Sequence, residues 1–449
     1  MPQLRLGRAL TALQTLSIQS QHAKAINATH GEQVALRFGS RCIPVTVTVM
    51  PQSNGKRINA LLSADACEQL LVPTPIRIHL KREADGSLRL GPLIGVLAQG
   101  HRSLRQPFFN QTPYFAALVT MGRRHGIPTY VFRPRDINWE TQTVRAWVRS
   151  PRRVWRRATL PLPDVVYDRV QSRRLDLLRS TRDAKRRLNE MKTPMFNTGF
   201  LDKWDTYAML SRAEATAQYL PDTQLVTDRD DVVRFARRYR SIFVKPAGGS
   251  LGQGIMVLRR RANGRFNMVH YSNRGVFRFR NVTLWPLWNR LRRFKRRRRY
   301  VVQQGLSLVR YRGRRFDIRV LVQKGHDGNW QISALYARVA VPGSLRSNLD
   351  AGGKAINGPR ILRRIYGRTA GRRVLGRIQQ AALDVAKTLE AEMDGPLGEL
   401  GLDIGVDRRG RPWVIEANAK PLRQMEGPRR RLALSILRPL RFAQSLANF

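Results

Sequence analysis

Apolar and polar positions change their rhythm along the chain. From Gln33 to Leu90, short apolar runs at Val34–Phe38, Ile43–Val49 and Ile76–Leu80 are separated by turn signals at Ser53-Asn54-Gly55 and Asp85-Gly86. Runs of that length between Gly, Asn and Asp predict a small β-rich module. At Gly91 the texture shifts to the continuous apolar run Pro92–Leu97, followed by a helical stretch Tyr114–His125, the breaker Gly126-Ile127-Pro128 and a second apolar run Thr129–Phe132. Strand, helix and strand at that spacing predict an open parallel α/β unit. Pro161–Arg169 reads as another apolar strand and turn, and from about residue 191 strands and helices mix as far as Phe449. One helix stands out, with Val374, Ile378, Ala381, Ala382, Val385 and Leu389 forming a core-facing stripe. The pattern predicts a multidomain α/β (α+β) chain in three units, 1–90, 91–190 and 191–449, without an internal repeat.

Composition adds one strong constraint. Lys and Arg total 82 against 31 Asp and Glu, a formal charge of +51 over 449 residues. A polyanion is the expected neighbour: nucleic acid, anionic lipid, a cell-wall polymer or an acidic substrate. The densest cluster, Asn289–Tyr300, contains no acid, so the Arg292–Arg299 region is the expected contact. Only Cys42 and Cys67 are present, and the His residues are scattered, which excludes zinc and disulfide scaffolds. No apolar run approaches the roughly 18 residues of a membrane span, and Met1–Ser20 lacks the apolar block of a secretory signal; an intracellular protein is expected.

Candidate chemistry lies in the last unit. Between two β-rich runs, Ser241–Leu258 holds Lys245, Gly248, Gly249, Ser250, Gly252 and Gly254. The layout is strand, glycine loop, strand, unlike the strand-to-helix loops of Walker A and Rossmann sites. Glycines let successive N–H groups converge on phosphate oxygens, with Ser250 as an added donor and Lys245 as a point charge. A second segment, Gly398–Pro421, reads as a hairpin, and a turn centred on Arg409 and Gly410 places Asp403 opposite Glu416, with Asn418 on the Glu416 face. Opposed carboxylates ask for a cation, and this oxygen set suits Mg²⁺, with Mn²⁺ as an alternative, rather than zinc. On the strand Phe316–Gln323, alternation sets Arg319 apart from core-facing Ile318 and Val320. Arg346 and Asn348, ahead of Gly352-Gly353, read as a loop offering a guanidinium and an amide to a phosphate.

In this order the segments resemble the ATP-grasp fold, and the Arg346–Gly353 and Leu402–Asn418 pair resembles RimK-type glutamate ligases and bacterial glutathione synthetase. Gly91–Leu97, Leu162–Arg169, Leu201–Trp204, Tyr219–Thr223 and the Lys245 loop extend the resemblance to the YheC/YheD-like endospore coat-associated ATP-grasp family, over roughly Gly91–Pro421. The resemblance implies a β-rich N-terminal module, a pre-ATP-grasp α/β domain and a two-lobed ATP-grasp domain. It implies Lys203 and Lys245 as phosphate ligands, Gly248–Gly254 as a phosphate lid, Asp403, Glu416 and Asn418 as magnesium ligands, and Arg319 and Arg346 as stabilisers of transferred charge. Backbone groups around Gln304, Gly305 and Leu306 would read adenine; Gln303 and Gln304 stand where many relatives have Glu. The implied activity is ATP-dependent carboxylate–amine ligation through an acyl phosphate, in the cytoplasm or spore coat; the alternative is a catalytically weak or inactive scaffold that binds a polyanion in a spore structure.

Overall fold

The computed structural model describes residues 1–449 apart from 11–13, 53–57, 101–104, 250–252, 273, 296–297, 343–351 and 424–428, and apart from the side chains of 293–295 and 429–431. Its N-terminal element is a closed barrel of seven strands from Gln3 to Gly91. Alternation in Gln3–Ala9 and Thr15–Gln19 buries Leu4, Leu6, Leu16 and Ile18 completely. The first strand runs parallel to Ala60–Ser63 and antiparallel to Ile76–Arg82, which closes the barrel. Closure leaves no free edge at that end of the chain. The β-rich reading that began at Gln33 therefore missed two strands before it.

Next comes a seven-stranded α/β sheet. Its parallel centre is β1 (Ile94–Leu97), β2 (Thr129–Phe132), β3 (Val165–Asp168) and β4 (Met195–Phe196), with β1 between β2 and β3. β1, β2 and β3 are buried throughout, as expected of strands covered on both faces. Helix α1 (Thr112–Arg124) lies on one face. Barrel and sheet share one continuous core in which Leu36 and Leu90 meet Leu93, Tyr130 and Leu160.

Two antiparallel lobes follow. Helix α2 (Lys203–Arg212) leads into the small lobe, whose sheet contains β5 (Thr223–Leu225), β6 (Ser241–Pro246), β7 (Met256–Arg260), β8 (Phe266–Ser272), β9 (Gly275–Val282) and β10 (Tyr300–Gln304), in the order β5-β10-β6-β7-β8-β9. Helix α3 (Trp285–Lys295) packs on it through Leu287 and Leu291. The large lobe holds β11 (Arg314–Lys324), β12 (Trp330–Val339), β13 (Lys354–Asn357), β14 (Glu399–Val406) and β15 (Pro412–Asn418), in the order β13-β12-β11-β14-β15. Helix α4 (Arg368–Glu392) covers one face with the stripe Val374, Ile378, Ala381, Ala382, Val385 and Leu389, every member buried as its periodicity predicts. The C-terminal helix α5 (Arg429–Leu446) returns to the α/β sheet, adding Ile436, Leu440, Phe442 and Ala443 to the core that holds Tyr114 and Phe115. Among the described residues no helix is long and apolar enough to cross a membrane.

Candidate functional site

Alternation in β6 sends Ile242 and Val244 into the small-lobe core and leaves Phe243 and Lys245 on the face toward the large lobe. Lys245 is nonetheless only 6% exposed, and no carboxylate pairs with it among the described residues. Burial, reinforced by nearby Lys203 and only partly opposed by Glu416, pushes its pKa down to about 8. Lys203 is the first residue of α2, after Asp202, whose carboxylate caps the helix by accepting from Trp204 N–H at 2.9 Å. Its Nζ donates to the Gly249 carbonyl at 2.6 Å and lies 3.4 Å from Glu416 Oε1, while its own N–H donates to the Ala247 carbonyl. One lysine thus ties the glycine loop, the helix start and the large lobe together. Gly254 has φ +75°, and a Cβ there would come within 3.0 Å of Pro246 Cγ, so glycine is required where the loop rejoins β7. Ser250 and Gly252 lie outside the described residues.

Across the cleft, Tyr336, Arg319, Asp403 and Glu416 pair in one row over β12, β11, β14 and β15. Asp403 and Glu416 face each other as the hairpin reading predicts, but by another route. Near the turn, Val406 pairs with Pro412 and Ile404 with Val414, one residue off the predicted register; a bulge at Ile415 restores it before Asp403. Asn418 pairs with Gly401. Arg319 Nε lies 3.0 Å from Asp403 Oδ1, yet its N–H direction misses, and among the described residues neither Asp403 Oδ1 nor Arg319 Nη1, both buried, has a hydrogen-bond partner. Arg338, which the sequence reading did not single out, holds the other oxygen: its Nη2 is 2.6 Å from Asp403 Oδ2, and its Nε donates to Asp317 Oδ1 at 2.7 Å. Burial alone would lower the Arg338 pKa, but Asp403 and Asp317 outweigh it and keep the guanidinium firmly charged. The available signal was a polar alternation, Tyr336 and Arg338 between Ala337 and Val339. Arg346 and Asn348 fall outside the described residues.

Gly401 makes room for this arrangement, since a Cβ there would sit 2.7 Å from Arg319 Nη1 and 2.7 Å from Pro421 Cβ. Gly401→Ala is expected to destabilise the protein by about 1–3 kcal/mol through overpacking and to displace Arg319; urea unfolding checks the first, and unchanged stability would mean that the guanidinium moves aside freely.

Between the lobes lies a narrow cavity of about 30 Å³, lined by Lys203, Tyr207, Lys245, Val301, Gln303 and Glu416 among others. From the hinge strand β10 it is Val301 and Gln303 that face this space. The N–H groups of Gln304 and Gly305 already donate to the carbonyls of Asp222 and Ser241, at 2.8 and 2.7 Å. Base reading by those two N–H groups, as the resemblance implies, would first require breaking these bonds.

A second buried network anchors the large lobe to the α/β sheet. Glu399, at the start of β14, accepts from Arg169 Nη1 and Tyr167 Oη at 2.5 Å and from Gln323 Nε2 at 2.9 Å, with Arg423 Nη2 3.3 Å away. Burial would raise its pKa, but Arg423 and Arg169, with the Tyr167 and Gln323 hydrogen bonds, outweigh it and hold the carboxyl below its ordinary value. Beside it, Lys420 and Lys185 pair with Asp168 Oδ2 at 2.8 and 2.5 Å. Asp168 ends β3, at the point where the order of the parallel strands reverses, so the strand carrying Asp403 and the segment after Asn418 are fixed against the carboxyl end of that sheet.

Two facing antiparallel lobes, one with a glycine loop and buried lysine and the other with an Arg–Asp–Glu row, define an ATP-grasp arrangement. A model of the YheC/D-like ATP-grasp family matches residues 192–446, and the chain belongs to that family. It is similar to endospore coat-associated protein YheD of Bacillus subtilis (strain 168), 30% identical over 373 residues, covering 81% of this chain and 80% of YheD. Endospore coat-associated protein YheC of the same organism is 26% identical over 326 residues, covering 70% of this chain and 86% of YheC. Among solved structures, the D-alanine–D-alanine ligase from Coxiella burnetii is 14% identical at a TM-score of 0.45, covering 79% of this chain and 94% of that one.

Proposed function

We propose that the chain binds Mg-ATP in the cleft between its lobes and uses it to join a carboxylate to an amine, releasing ADP and phosphate. The observation that carries this reading is the buried Lys245 ammonium, set beside Lys203 on one wall of a cleft whose other wall bears Glu416. A buried cation without a carboxylate of its own is relieved by an anion, and phosphate oxygens are the anion that a glycine loop also suits. The donors fit the metal as well. Among the described residues no three His, Cys, Asp or Glu converge, which speaks against an all-protein cage, whereas Mg²⁺ takes one or two carboxylates and completes its shell with phosphates and water. Asp403 Oδ1, without a hydrogen-bond partner among the described residues, suits a cation, and Arg319 Nη1, likewise without one, suits a phosphate oxygen.

In this reading Asp403, Glu416 and Asn418 hold the metal, Mn²⁺ serving in place of Mg²⁺. Lys203, Lys245 and the Gly248–Gly254 loop hold the phosphates, and Arg319 neutralises charge on the transferred group. Bound Mg-ATP supplies the phosphoryl group that activates a carboxylate for attack. The chain itself contributes positioning and fixed charge: Asp317 locks Arg338, Arg338 orients Asp403, and Lys203 clamps the glycine loop. The same reading divides the chain into domains 1–90, 91–190 and 191–449, the first two sharing a core and the second completed by β4 and α5 from the third, and it assigns Arg346 and Asn348 to the acyl-phosphate side.

A second reading has support of its own. Two arginines crowd Asp403; this favours a weak or inactive scaffold, associated with the spore coat as the names of YheD and YheC describe those relatives. Calorimetric titration with a non-hydrolysable ATP analogue, with and without Mg²⁺, separates the cases. Metal-dependent binding that Glu416→Ala abolishes, with ADP release in a screen of carboxylates and amines, is the expected result. Binding without turnover supports the scaffold, and an unchanged affinity in Glu416→Ala removes the metal assignment.

A further inference from the structure

Between Asp231 and Asp317 the sequence contains 24 Lys or Arg and not one Asp or Glu. This segment builds most of the small lobe. Among its described residues Arg234, Arg238 and Arg299 reach a carboxylate. Most of the remaining charge faces water, and much of it gathers at one end of the sheet. β9 is the edge strand, and Arg274, Arg278 and Arg280 are exposed along it or beside it. The turn between β7 and β8 adds exposed Arg261 and Arg265, and α3 adds exposed Arg292. Arg290 of α3 stacks its guanidinium 4.5 Å from the Phe279 ring of β9, so helix and edge strand present one joined surface.

Apolar side chains are exposed around the same sheet edge: Phe277, on the α3 face of β9, is 44% and Trp285, at the start of α3, 55% exposed, with Val276 at 37% on the opposite face of β9, the face of Arg278. Charge alone is enough to protect a sheet edge from pairing with another chain. Protection does not call for exposed rings. Arginines for phosphates interleaved with aromatic rings for bases are instead the two elements of single-strand recognition, in which stacking supplies affinity without sequence preference. A duplex hides its bases from such rings, and polyglutamate has no aromatic ring to stack on them.

We propose that β9, the β7–β8 turn and α3 form a binding surface for single-stranded nucleic acid that runs over the sheet edge, with phosphates on Arg278, Arg280 and their neighbours and bases on Phe277 and Trp285. The surface lies three strands from β6, which carries Lys245, and does not depend on the ligase reading. Fluorescence anisotropy of the full chain with a labelled single strand of about 16 nucleotides tests it, against polyglutamate of equal charge and vesicles of anionic phospholipid. The expected result is preferential binding of the oligonucleotide, with affinity falling steeply in salt. Arg278→Ala with Arg280→Ala should lower the log–log salt slope by about 1.4, since each lost single-strand phosphate contact removes about 0.7. Phe277→Ala with Trp285→Ala should weaken oligonucleotide binding at least about fivefold, leaving the slope and the binding of polyglutamate unchanged. Both pairs are exposed, so folding should survive, and circular dichroism verifies it. Equal affinity for polyglutamate, preference for the vesicles, or wild-type oligonucleotide affinity in the aromatic variant would each overturn the proposal.

Discussion

Lys245→Met is expected to make the nucleotide-free protein more stable at pH 7, by on the order of 1–3 kcal/mol, and to weaken Mg-ATP binding roughly 10- to 100-fold. Both effects come from one buried charge. The ammonium is nine-tenths withdrawn from water with Lys203 as its neighbour, and its pKa falls from an ordinary 10.5 to about 8. Below about pH 8 the group is charged in folded and unfolded states alike, and the full cost of burying it is present. Between about 8 and 10.5 the unfolded chain still holds the proton that the folded one has released, so stability rises with pH through that window. The methionine variant should lack this rise. Nucleotide affinity should run the other way, falling as pH passes 8 and the phosphates lose their cation. Thermal melts at pH 7 and 10, with calorimetry at pH 7 and 9, measure both. A variant no more stable than wild type at pH 7 would show that Lys245 is better solvated than its burial implies.

The second large effect is expected at Glu399. Glu399→Gln keeps the shape of the side chain but removes the only carboxylate that pairs with Arg169 and Arg423 among the described residues, leaving two buried guanidiniums uncompensated. A loss on the order of 3–5 kcal/mol is expected, as for other buried pairs broken on one side. The exposed pair Arg186–Glu190 is the control, worth no more than about 0.5 kcal/mol. Replacing Arg169, Glu399 and Arg423 together by Met, Leu and Met should cost less than Glu399→Gln alone. Urea unfolding checks the series. The network spans the α/β sheet and the large lobe, so Glu399→Gln should also loosen their contact, seen as faster amide exchange around Tyr167 and Gly401.

Periodicity and local chemistry made much of the ATP-grasp half readable. The α4 stripe, the two strands around the glycine loop, the Asp403–Glu416 hairpin and the separation of Arg319 from its core-facing neighbours all depend on residues close in sequence, where spacing alone determines the face. The strands before Gln33 were harder to see: their partners, Ala60–Ser63 and Ile76–Arg82, lie tens of residues away, and only closure of the barrel gives Leu4 and Leu16 an interior to enter. Arg338 was not singled out in the sequence, and only the β11–β12 register sets it against Asp317 and close to Asp403. Glu399 is separated from Arg169 by 230 positions, and nothing near either one announces a buried pair. The bulge at Ile415 and the engaged N–H groups of Gln304 and Gly305 likewise depend on what the neighbouring chain offers. The sequence by itself determined which residues share a face, because that follows from backbone repeat. Which faces meet, which charges lose their water and which hydrogen-bonding groups remain free was decided only by the tertiary structure, because desolvation and pairing depend on groups brought together from distant parts of the chain.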